Sequence, residues 1–410
     1  MKKIAILVDL ELNETAGGHV KFWERICYSV KDSVRDVNLA VFFLGKKTSK
    51  KQISKNITFY TIKPTISSNI LKPLGVDADS TDLFPINFKL LYLLKNYDLI
   101  HSTDQLFSMA RTAVIGSKLW GIPLTTSLHT DTPSYTEYYI KKIFNKFPKI
   151  IFHIFIEKLQ LHKKIPNKQR IKLRNYLKHC EEGMINDQLT LTKFSFPKEL
   201  KMKISRLSRG VDKKVFYKKK INKEKLCMKY KIDMDEKILF FCGRIHELKG
   251  AIFLSKIHNI LRKKHIKVVS IFAGEDIHGD KCLSVGGNKI KMVGHLSENK
   301  ISDLYNLCDL FVFPSKFEIG PQVVLEAKAC GTISVVSPSG GGKRIKESGL
   351  DGIVIKEYNP NVWADTITEL LPNKKKIHFM RNMILTEFQP KSWEYIFNKY
   401  FIKKWNKILK

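Results

Sequence analysis

Residues 317–331 read FEIGPQVVLEAKACG, and this stretch is the most informative part of the chain. The residues that follow its Gly-Pro turn predict a helix over Gln322–Cys330. The helix is expected to end at Gly331, because glycine readily adopts the left-handed conformation of a helix C-cap. The N-terminus of such a helix presents unpaired backbone N–H groups and the positive end of a dipole, which favours binding of a phosphate or diphosphate.

Two carboxylates flank this helix N-terminus. Glu318 lies just before it, and Glu326 lies about two turns beyond it. Carboxylates accept hydrogen bonds from hydroxyl groups, so the pair can hold sugar hydroxyls at the two ends of a diphosphate ligand. The alternative is an ordinary amphipathic helix with two solvated glutamates, and the spacing alone favours that alternative.

Short apolar runs alternate with helical segments along the chain. In the first half the predicted strands are Ile4–Val8, Leu39–Leu44, Ile57–Thr61, Leu99–His101, Leu124–His129 and Leu189–Thr192. In the second half they are Ile238–Cys242, Val268–Ala273, Ile290–Val293, Leu310–Phe313, Ile333–Val336 and Ile353–Ile355. Further helices are predicted over Val20–Val30, Asn87–Leu94, Met109–Trp120, Ala251–Lys264 and Lys300–Leu307. This rhythm predicts an α/β protein with two doubly wound Rossmann-like domains that face each other across a cleft, where the carboxyl ends of the strands bind ligands.

The same pattern suggests where the domains begin and end. Residues 1–206 are predicted to form the first domain and residues 207–372 the second, with a Lys-rich polar stretch after the boundary. Residues 373–410 are mostly helical in pattern and rich in aromatic side chains. A terminal helix with apolar spacing usually packs on a core, so this segment is expected to pack back on the first domain.

Composition narrows the class of protein. The chain has 410 residues and a formal net charge of +33, which favours anionic partners such as nucleic acid, an anionic membrane surface or phosphorylated substrates. Compositional drift explains the charge equally well, because the basic residues are mostly lysine. No apolar run is long enough to span a bilayer. The seven cysteines show no pattern typical of disulfides or metal sites, which suits a reducing cytoplasm.

The segment 140–178 combines strong basic charge with large apolar side chains. It holds twelve Lys or Arg residues against one acidic residue, Glu157. Such a stretch is typical of a helix that lies on an anionic lipid surface. The alternative, slightly favoured, is that its apolar face packs on the first domain while its lysines are solvated.

Several polar residues follow predicted strands. Arg244 and Lys249 come at the end of one strand of the second domain, where a guanidinium and an ammonium group can together neutralise a diphosphate without a metal. Gly17 and Gly18 follow the first strand and allow close approach of backbone N–H groups to a ligand. His129 ends another strand of the first domain, where it either contacts a ligand or is a buried, satisfied histidine.

On these residues the chain resembles the GT-B-fold glycosyltransferases of the large retaining family four, with the group-one signature in its second domain. The resemblance covers most of the chain and rests on motifs that occur in the expected order. In the second domain these are Gly243-Arg244 to Lys249-Gly250, Leu304-Tyr305 to Asp309, Phe313-Pro314-Ser315 and the Glu318/Glu326 pair. In the first domain they are Gly17-Gly18, His129-Thr130-Asp131 and Arg209-Gly210-Val211-Asp212 with Phe216.

The resemblance implies roles for the residues of the second domain, which would bind the nucleotide sugar. Arg244 and Lys249 would bind the diphosphate of the donor. Glu318 would contact the transferred sugar, and Glu326 would hold the ribose hydroxyls.

It also implies roles for the first domain, on the acceptor side. Gly17 and Gly18 would form the loop that faces the diphosphate and the acceptor. His129 would lie beside the donor sugar at the reaction centre.

One departure from the family pattern follows Glu318. Ile319 and Gly320, both expected to contact the donor, precede Pro321. The family usually has a small residue, an aromatic residue and then glycine at these three positions. Because proline has no N–H, one amide contact expected for the donor is missing or displaced. A second departure is Arg344, which stands where the family usually has a glutamate.

The resemblance therefore predicts a retaining hexosyltransferase that moves a sugar from a UDP- or GDP-sugar to an acceptor hydroxyl. A lipid-linked or surface-glycan precursor is the candidate acceptor, and the inner face of the cell membrane is a candidate location within the cytoplasm. No cofactor and no metal are predicted, and Asp77-Ala78-Asp79 is interpreted as a turn rather than a metal motif.

Two alternatives remain open from the sequence. One is another GT-B enzyme, such as a sugar-nucleotide epimerase or a phosphorylase. The other is a non-catalytic polyanion-binding protein, although no specific nucleic acid is expected.

Overall fold

The computed structural model describes residues 1–186, 196–339 and 341–410, so the predicted strand Leu189–Thr192 lies outside the described residues. The chain divides into two compact units: unit 1 is Met1–Arg209 with Trp393–Lys410, and unit 2 is Gly210–Ser392. The division thus falls after Arg209 rather than after residue 206. It also cuts through the segment 373–410. The helix Lys374–Glu387 buries Met380 and Ile384 in the core of unit 2, whereas the residues from Trp393 onward join unit 1.

Unit 1 is built on a sheet that has eight strands in the described residues. These are β1 (Lys2–Glu11), β2 (Val37–Leu44), β3 (Ser49–Ser54), β4 (Ile57–Ile62), β5 (Leu99–Ser102), β6 (Leu124–Leu128), β7 (Glu182–Ile185) and β8 (Ile204–Arg206). Their order is β3-β4-β2-β1-β5-β6-β7-β8, and all neighbours are parallel except β3 and β4. The sequence did not predict β3, β7 and β8. β3 is an exposed, Lys-rich edge strand, and the other two are short, so their apolar patterns are weak.

Helices cover the sheet of unit 1. The α-helices are Gly18–Val30, Phe88–Leu94, Ser108–Trp120, Thr132–Phe144, Lys149–Phe152, Leu161–His179, Lys198–Met202, Trp393–Phe397 and Lys403–Ile408. A 3-10 helix spans Ser68–Leu74, and π-helical turns span His153–Lys158 and Asn398–Ile402. The terminal residues Trp393, Phe401 and Trp405 are buried in the same apolar cluster as Phe22 and Trp23 of the first helix. The terminal segment from Trp393 is therefore part of the core of unit 1.

Unit 2 repeats the architecture with six strands in its described residues. These are β9 (Lys237–Cys242), β10 (Val268–Ala273), β11 (Ile290–Gly294), β12 (Leu310–Phe313), β13 (Ser334–Val336) and β14 (Ile353–Val354). Their order is β11-β10-β9-β12-β13-β14, and all neighbours are parallel. Its α-helices are Lys223–Tyr230, Ala251–Lys263, Gly279–Gly286, Glu298–Leu307, Gln322–Ala329, Pro360–Leu370 and Lys374–Glu387. Two 3-10 helices span Glu247–Lys249 and Gly342–Arg344.

The structure confirms the predicted fold class, with two doubly wound parallel α/β units. The predicted helix after the Gly-Pro turn is also confirmed, over Gln322–Ala329, and Gly331 adopts the expected left-handed conformation with φ of 70°. None of the helices within the described residues has both the length and the apolar character needed to cross a lipid bilayer.

Candidate functional site

The candidate site of unit 2 begins with two loops that follow neighbouring strands. One loop leaves β9 and reaches the turn Glu247–Lys249, and the other leaves β12 with Pro314 and Ser315. The carbonyl oxygen of Leu248 accepts a hydrogen bond from the Ser315 hydroxyl at 3.1 Å and one from the backbone N–H of Lys316 at 3.1 Å. The two loops are therefore fixed to each other at the carboxyl edge of the sheet.

Gly250 makes this close approach of the loops possible. Its φ is +85°, and a Cβ at this position would lie 2.5 Å from the carbonyl oxygen of Pro314. A side chain there would meet a rigid backbone atom, and the conformation itself disfavours other residues. Gly250 therefore determines where the preceding residue, Lys249, is placed.

Lys249 and Glu318 form an ion pair in this region. The Lys249 Nζ lies 2.5 Å from Glu318 Oε1, and the side chains are 26% and 15% exposed. The Ser315 hydroxyl oxygen lies 3.2 Å from the same carboxylate oxygen, so its single proton is shared between this carboxylate and the carbonyl oxygen of Leu248. The structure thus brings together two residues to which the family resemblance assigns different parts of one ligand.

Arg244 is held by a residue that the sequence reasoning did not identify. Its Nε donates to Glu275 Oε2 at 3.1 Å, and Glu275 follows the neighbouring strand β10. The two loops touch at Gly274, where a Cβ would lie 2.0 Å from the carbonyl oxygen of Gly243. The signal that could have identified Glu275 was its Gly-Glu pair directly after a buried strand, matching the Gly-Arg pair after β9.

Glu326 does not belong to a solvated helix face. It is 3% exposed and lies within the helix Gln322–Ala329, whose N-cap is Pro321. The structure therefore contradicts the alternative of two solvated glutamates, because burial of a carboxylate is costly unless it has partners or a ligand. Ile319 and Gly320 are also buried, between Glu318 and the helix N-terminus.

The Gly17-Gly18 pair lies where the sequence placed it. Gly17 is the N-cap of the helix Gly18–Val30, and a Cβ on Gly18 would meet nothing within 4 Å. The carbonyl oxygen of Gly18 accepts a hydrogen bond from an Arg209 NH1 group at 3.4 Å, and the Arg209 guanidinium lies 5.4 Å from the centre of the Phe22 ring. There is therefore open space beside the backbone of Gly18, next to the buried guanidinium group of Arg209.

His129 lies beside His19, which directly follows the glycine pair and which the sequence did not mark as a site residue. Their rings are stacked, with centroids 4.5 Å apart and planes within 12° of parallel. His19 Nε2 is 2.6 Å from the Thr103 hydroxyl, and His129 Nε2 is 2.8 Å from the Ser127 hydroxyl. The stack places two imidazoles at one edge of the sheet, one from the first turn of the helix that follows β1 and one from the loop that follows β6.

Burial keeps these imidazoles neutral. It lowers the pKa of His19 to about 3, with a further contribution from the positive charge of Arg209. Burial likewise lowers the pKa of His101 to about 3. The pKa of His129 lies well below its ordinary value because of burial, followed by repulsion from His19, Arg209 and His101. At neutral pH these rings can therefore exchange hydrogen bonds but carry no charge.

Two acidic residues of unit 1, Asp131 and Asp77, have structural partners. Asp131 caps the helix Thr132–Phe144 and accepts a hydrogen bond from the Ser134 hydroxyl at 2.7 Å. Asp77 forms an ion pair with Lys142 at 3.1 Å.

Solved structures with the same fold are known. HepE of Anabaena, solved in complex with UDP and glucose, superposes with a TM-score of 0.68 over 99% of this chain and 100% of its own, at 17% identity. The fold is GT-B. Sucrose-phosphate synthase from Thermosynechococcus elongatus, with a TM-score of 0.70 and 15% identity over 100% of this chain and 99% of its own, also shares the GT-B arrangement of strands and helices. At such identities these likenesses describe the fold alone.

Sequence comparison concerns mainly unit 2 of this GT-B chain. Residues 222–384 match the family model of glycosyl transferases group 1. An uncharacterized glycosyltransferase of Methanocaldococcus jannaschii is 30% identical over 167 residues, which are 40% of this chain and 43% of the relative. The capsular polysaccharide biosynthesis glycosyltransferase CapH of Staphylococcus aureus is 26% identical over 75% of this chain and 80% of its own. The match with the Methanocaldococcus protein thus spans less than half of that relative, whereas the match with CapH spans four fifths of CapH.

Proposed function

We propose that this protein transfers a hexose-type sugar from a nucleoside diphosphate sugar to an acceptor hydroxyl, with retention of the anomeric configuration. The observation that carries the proposal is the placement of Arg244, Lys249 and Glu318 at one sheet edge of the unit that matches group 1 glycosyl transferases. HepE has been solved in complex with UDP and glucose and in complex with UDP-glucose, which supports a nucleotide-sugar donor.

The chemistry of the donor half follows from charge. A nucleoside diphosphate leaves readily only if its growing negative charge is stabilised, and preorganised cations and N–H groups do this most effectively. In the proposal Arg244, Lys249 and the N-terminus of the helix Gln322–Ala329 supply that stabilisation. Glu318 then accepts hydrogen bonds from the transferred sugar, with Ile319 and Gly320 beside it.

The remaining site residues complete the proposal. Glu326 holds the ribose hydroxyls of the donor. His129 contacts the donor sugar, and the loop at Gly17 and Gly18 faces the diphosphate and the acceptor. The first two roles require groups that accept hydrogen bonds from hydroxyls, which carboxylates and neutral imidazole rings do.

The proposal includes no metal and no cofactor, because the basic residues neutralise the diphosphate. Incubation of the protein with UDP- and GDP-sugars, with and without a glycan or lipid-linked acceptor, followed by measurement of nucleoside diphosphate release and of the glycoside product, tests this directly. We expect release at the same rate with and without EDTA, and the sugar product to keep the anomeric configuration of the donor. Strict dependence on a divalent cation would contradict the metal-independent mechanism, and an inverted product would contradict retention.

The same assay separates the alternative functions. An epimerase would release nucleotide without needing an acceptor, and a phosphorylase would depend on phosphate. A non-catalytic polyanion-binding protein would ignore nucleotide sugars and bind nucleic acid with a steep dependence on salt.

The acceptor side of the proposal is a lipid-linked or surface-glycan precursor at an anionic membrane surface on the cytoplasmic side. Apolar side chains of the segment 140–178 lie exposed among its lysines, with Ile150 69% exposed and Phe147, Ile154, Ile165 and Ile171 also exposed. Other members of the segment pack inward: Ile156 is buried and the rings of Phe144 and Phe155 stack. The exposed side chains support the membrane proposal, and the buried Ile156 shows that part of the segment packs inward.

Liposome flotation tests the membrane proposal. We expect the protein to float with vesicles that contain anionic lipid and to float less with neutral vesicles, because lysines attract anionic headgroups while exposed apolar side chains insert. Ile150→Ser should weaken flotation. Leu119→Ser, at another exposed position of the same unit, is the matched control and should have no effect. Equal flotation of both variants and the wild type would contradict a role for this segment.

A further inference from the structure

Four buried side chains on and beside strands β5 and β6 of unit 1 form a chain of hydrogen bonds that ends at His129. The Thr125 hydroxyl is 2.9 Å from His101 Nδ1, and His101 Nε2 is 2.9 Å from the Ser127 hydroxyl. The Ser127 hydroxyl is in turn 2.8 Å from His129 Nε2. His101 and Ser127 lie on the neighbouring strands β5 and β6, and all four residues are buried.

The number of protons on each group determines which group donates and which accepts in each of these hydrogen bonds. Two directions fit the distances: the Thr125 hydroxyl either donates to His101 Nδ1 at 2.9 Å, or donates to the carbonyl oxygen of Ile100, 3.4 Å away, and accepts from His101 Nδ1. The first direction leaves a buried N–H group without an acceptor at His129 Nδ1, and the second leaves only a lone pair there. Orphaned buried N–H groups are the rarer of the two, which favours the second direction. Neutral His101 then has no proton on Nε2, which accepts from the Ser127 hydroxyl. Because Ser127 has no second proton, its oxygen accepts from His129 Nε2.

The other end of the His129 ring is therefore a lone pair. Neutral His129 carries one ring proton, and the chain places that proton on Nε2. Its Nδ1 is buried and has no hydrogen-bond partner within residues 1–186, 196–339 and 341–410. An unsatisfied buried acceptor is costly, so a ligand that donates a hydrogen bond there would gain affinity.

We propose that Thr125, His101 and Ser127 are positioning residues that hold His129 in the tautomer with its proton on Nε2, so that Nδ1 accepts a hydrogen bond from a ligand hydroxyl. The class of ligand rests on the proposed function, in which a sugar hydroxyl is that donor. A diphosphate oxygen has no proton at neutral pH, so the lone pair of Nδ1 would repel it. His129 then selects the sugar rather than the diphosphate of the donor.

Nitrogen-15 NMR of the histidine side chains in the full-length protein tests the tautomer without reference to activity. The His129→Gln variant assigns the signals of His129 by their disappearance. In the wild type we expect a protonated Nε2 and an unprotonated Nδ1 for His129. A proton on Nδ1 would overturn the proposal.

Variants of the chain test whether the distant residues set this tautomer. Thr125→Val removes the acceptor of the His101 proton while keeping a β-branched residue in the strand, and we expect it to shift His129 toward the tautomer protonated on Nδ1. Thr126→Val is the matched control, since the Thr126 hydroxyl donates to Ser102 and lies outside the chain. Unchanged His129 signals in both Thr125→Val and Ser127→Ala would also overturn the proposal. Ser127→Thr, which keeps the hydroxyl, should restore the wild-type signals.

Binding measurements connect the tautomer to the ligand, with UDP-glucose and UDP as probes. In Thr125→Val we expect UDP-glucose to bind about three- to tenfold more weakly, the size of one hydrogen bond, while UDP binding is unchanged. Equal weakening of both probes would contradict a contact with the sugar. If neither probe binds the wild type, the donor assumed for the proposed function is wrong, while the NMR result still decides the tautomer.

Discussion

The Nζ atom of Lys249 lies 2.5 Å from Oε1 of Glu318, across two loops that follow adjacent strands of unit 2. Both side chains are partly exposed at the carboxyl edge of the sheet, so the pair is accessible to a ligand. A diphosphate would compete with Glu318 for the lysine, and a sugar hydroxyl would compete with Lys249 for the carboxylate. In the proposed function, each residue therefore holds the other in position until a donor with both groups binds.

Removal of the lysine should abolish most transfer while the fold survives. In Lys249→Ala we expect about 10²- to 10³-fold slower turnover, the typical loss when one preorganised group that stabilises developing negative charge is removed. Turnover is measured as nucleoside diphosphate release, and folding by circular dichroism. Lys267→Ala is the matched control, because Lys267 is also paired with a carboxylate, that of Asp235, but lies exposed on the same unit. Wild-type turnover of Lys249→Ala would refute the diphosphate assignment.

Substitution of Glu326 should weaken nucleotide binding, whereas substitution of Glu318 should slow turnover. Glu326→Gln should raise the dissociation constant for the nucleotide about tenfold or more, because hydrogen bonds to a charged group contribute about 1.5–3 kcal/mol. Glu318→Gln should leave nucleotide affinity nearly unchanged and lower kcat with the intact donor. Calorimetric titration with the free nucleotide and steady-state kinetics separate the two effects. The assignment of ribose and sugar fails if both variants change only kcat.

Gly250 should be intolerant of a side chain for reasons of packing as well as conformation. Gly250→Ala places a Cβ 2.5 Å from a backbone oxygen, whereas Gly121→Ala, also in the left-handed conformation, has open space. We expect Gly121→Ala to lower the free energy of unfolding by about 1–2 kcal/mol, the cost of the left-handed conformation alone. Gly250→Ala should cost more and also slow transfer by displacing Lys249. Urea denaturation measures both, and equal losses of stability would contradict the contact.

Acidification should destabilise unit 1 through its buried histidines. The pKa of His101 is lowered to about 3 in the folded state, so below about pH 6.5 the unfolded chain binds a proton that the folded chain does not. Stability therefore falls as pH drops from 7 to 5, by about 2 kcal/mol for this group. We expect this fall to be smaller by that amount in His101→Asn.

A second buried group of the same unit, Asp9, changes stability with pH in the opposite direction. Burial raises the pKa of Asp9 to about 8, so its folded form binds an extra proton and its contribution to stability falls as pH rises, the opposite sign. That contribution is common to the wild type and His101→Asn, and it cancels in the comparison of their unfolding free energies at pH 7 and 5. An identical fall in both proteins would contradict the buried, neutral state of His101.

The sequence predicted most strands and helices because buried parallel strands are nearly continuous apolar runs, as in Val268–Ala273. It could not predict edge strands such as Ser49–Ser54, which are polar and bury little. Among site residues, the glutamates and basic residues were found through their motifs. Their pairing was not, because which loops meet depends on the strand order β10-β9-β12, which no local pattern contains.

The hydrogen bonds that link Thr125, His101, Ser127 and His129 in unit 1 also could not be predicted from the sequence. Thr125 and Ser127 occupy alternate positions of a fully buried strand, where apolar residues are expected, and this was the available signal. The partner His101 comes from another strand, so the hydrogen bonds could be recognised only once the register of β5 and β6 was known.

The account depends most directly on whether unit 2 binds a nucleotide sugar through the named residues. A thermal-shift screen of the full-length protein with UDP- and GDP-sugars measures this, because a ligand that binds the folded state raises the unfolding temperature. We predict a rise with at least one nucleotide sugar in the wild type and in Lys267→Ala, and its loss in Lys249→Ala and Glu326→Gln. No rise with any nucleotide sugar, or an equal rise in all four proteins, would contradict the account.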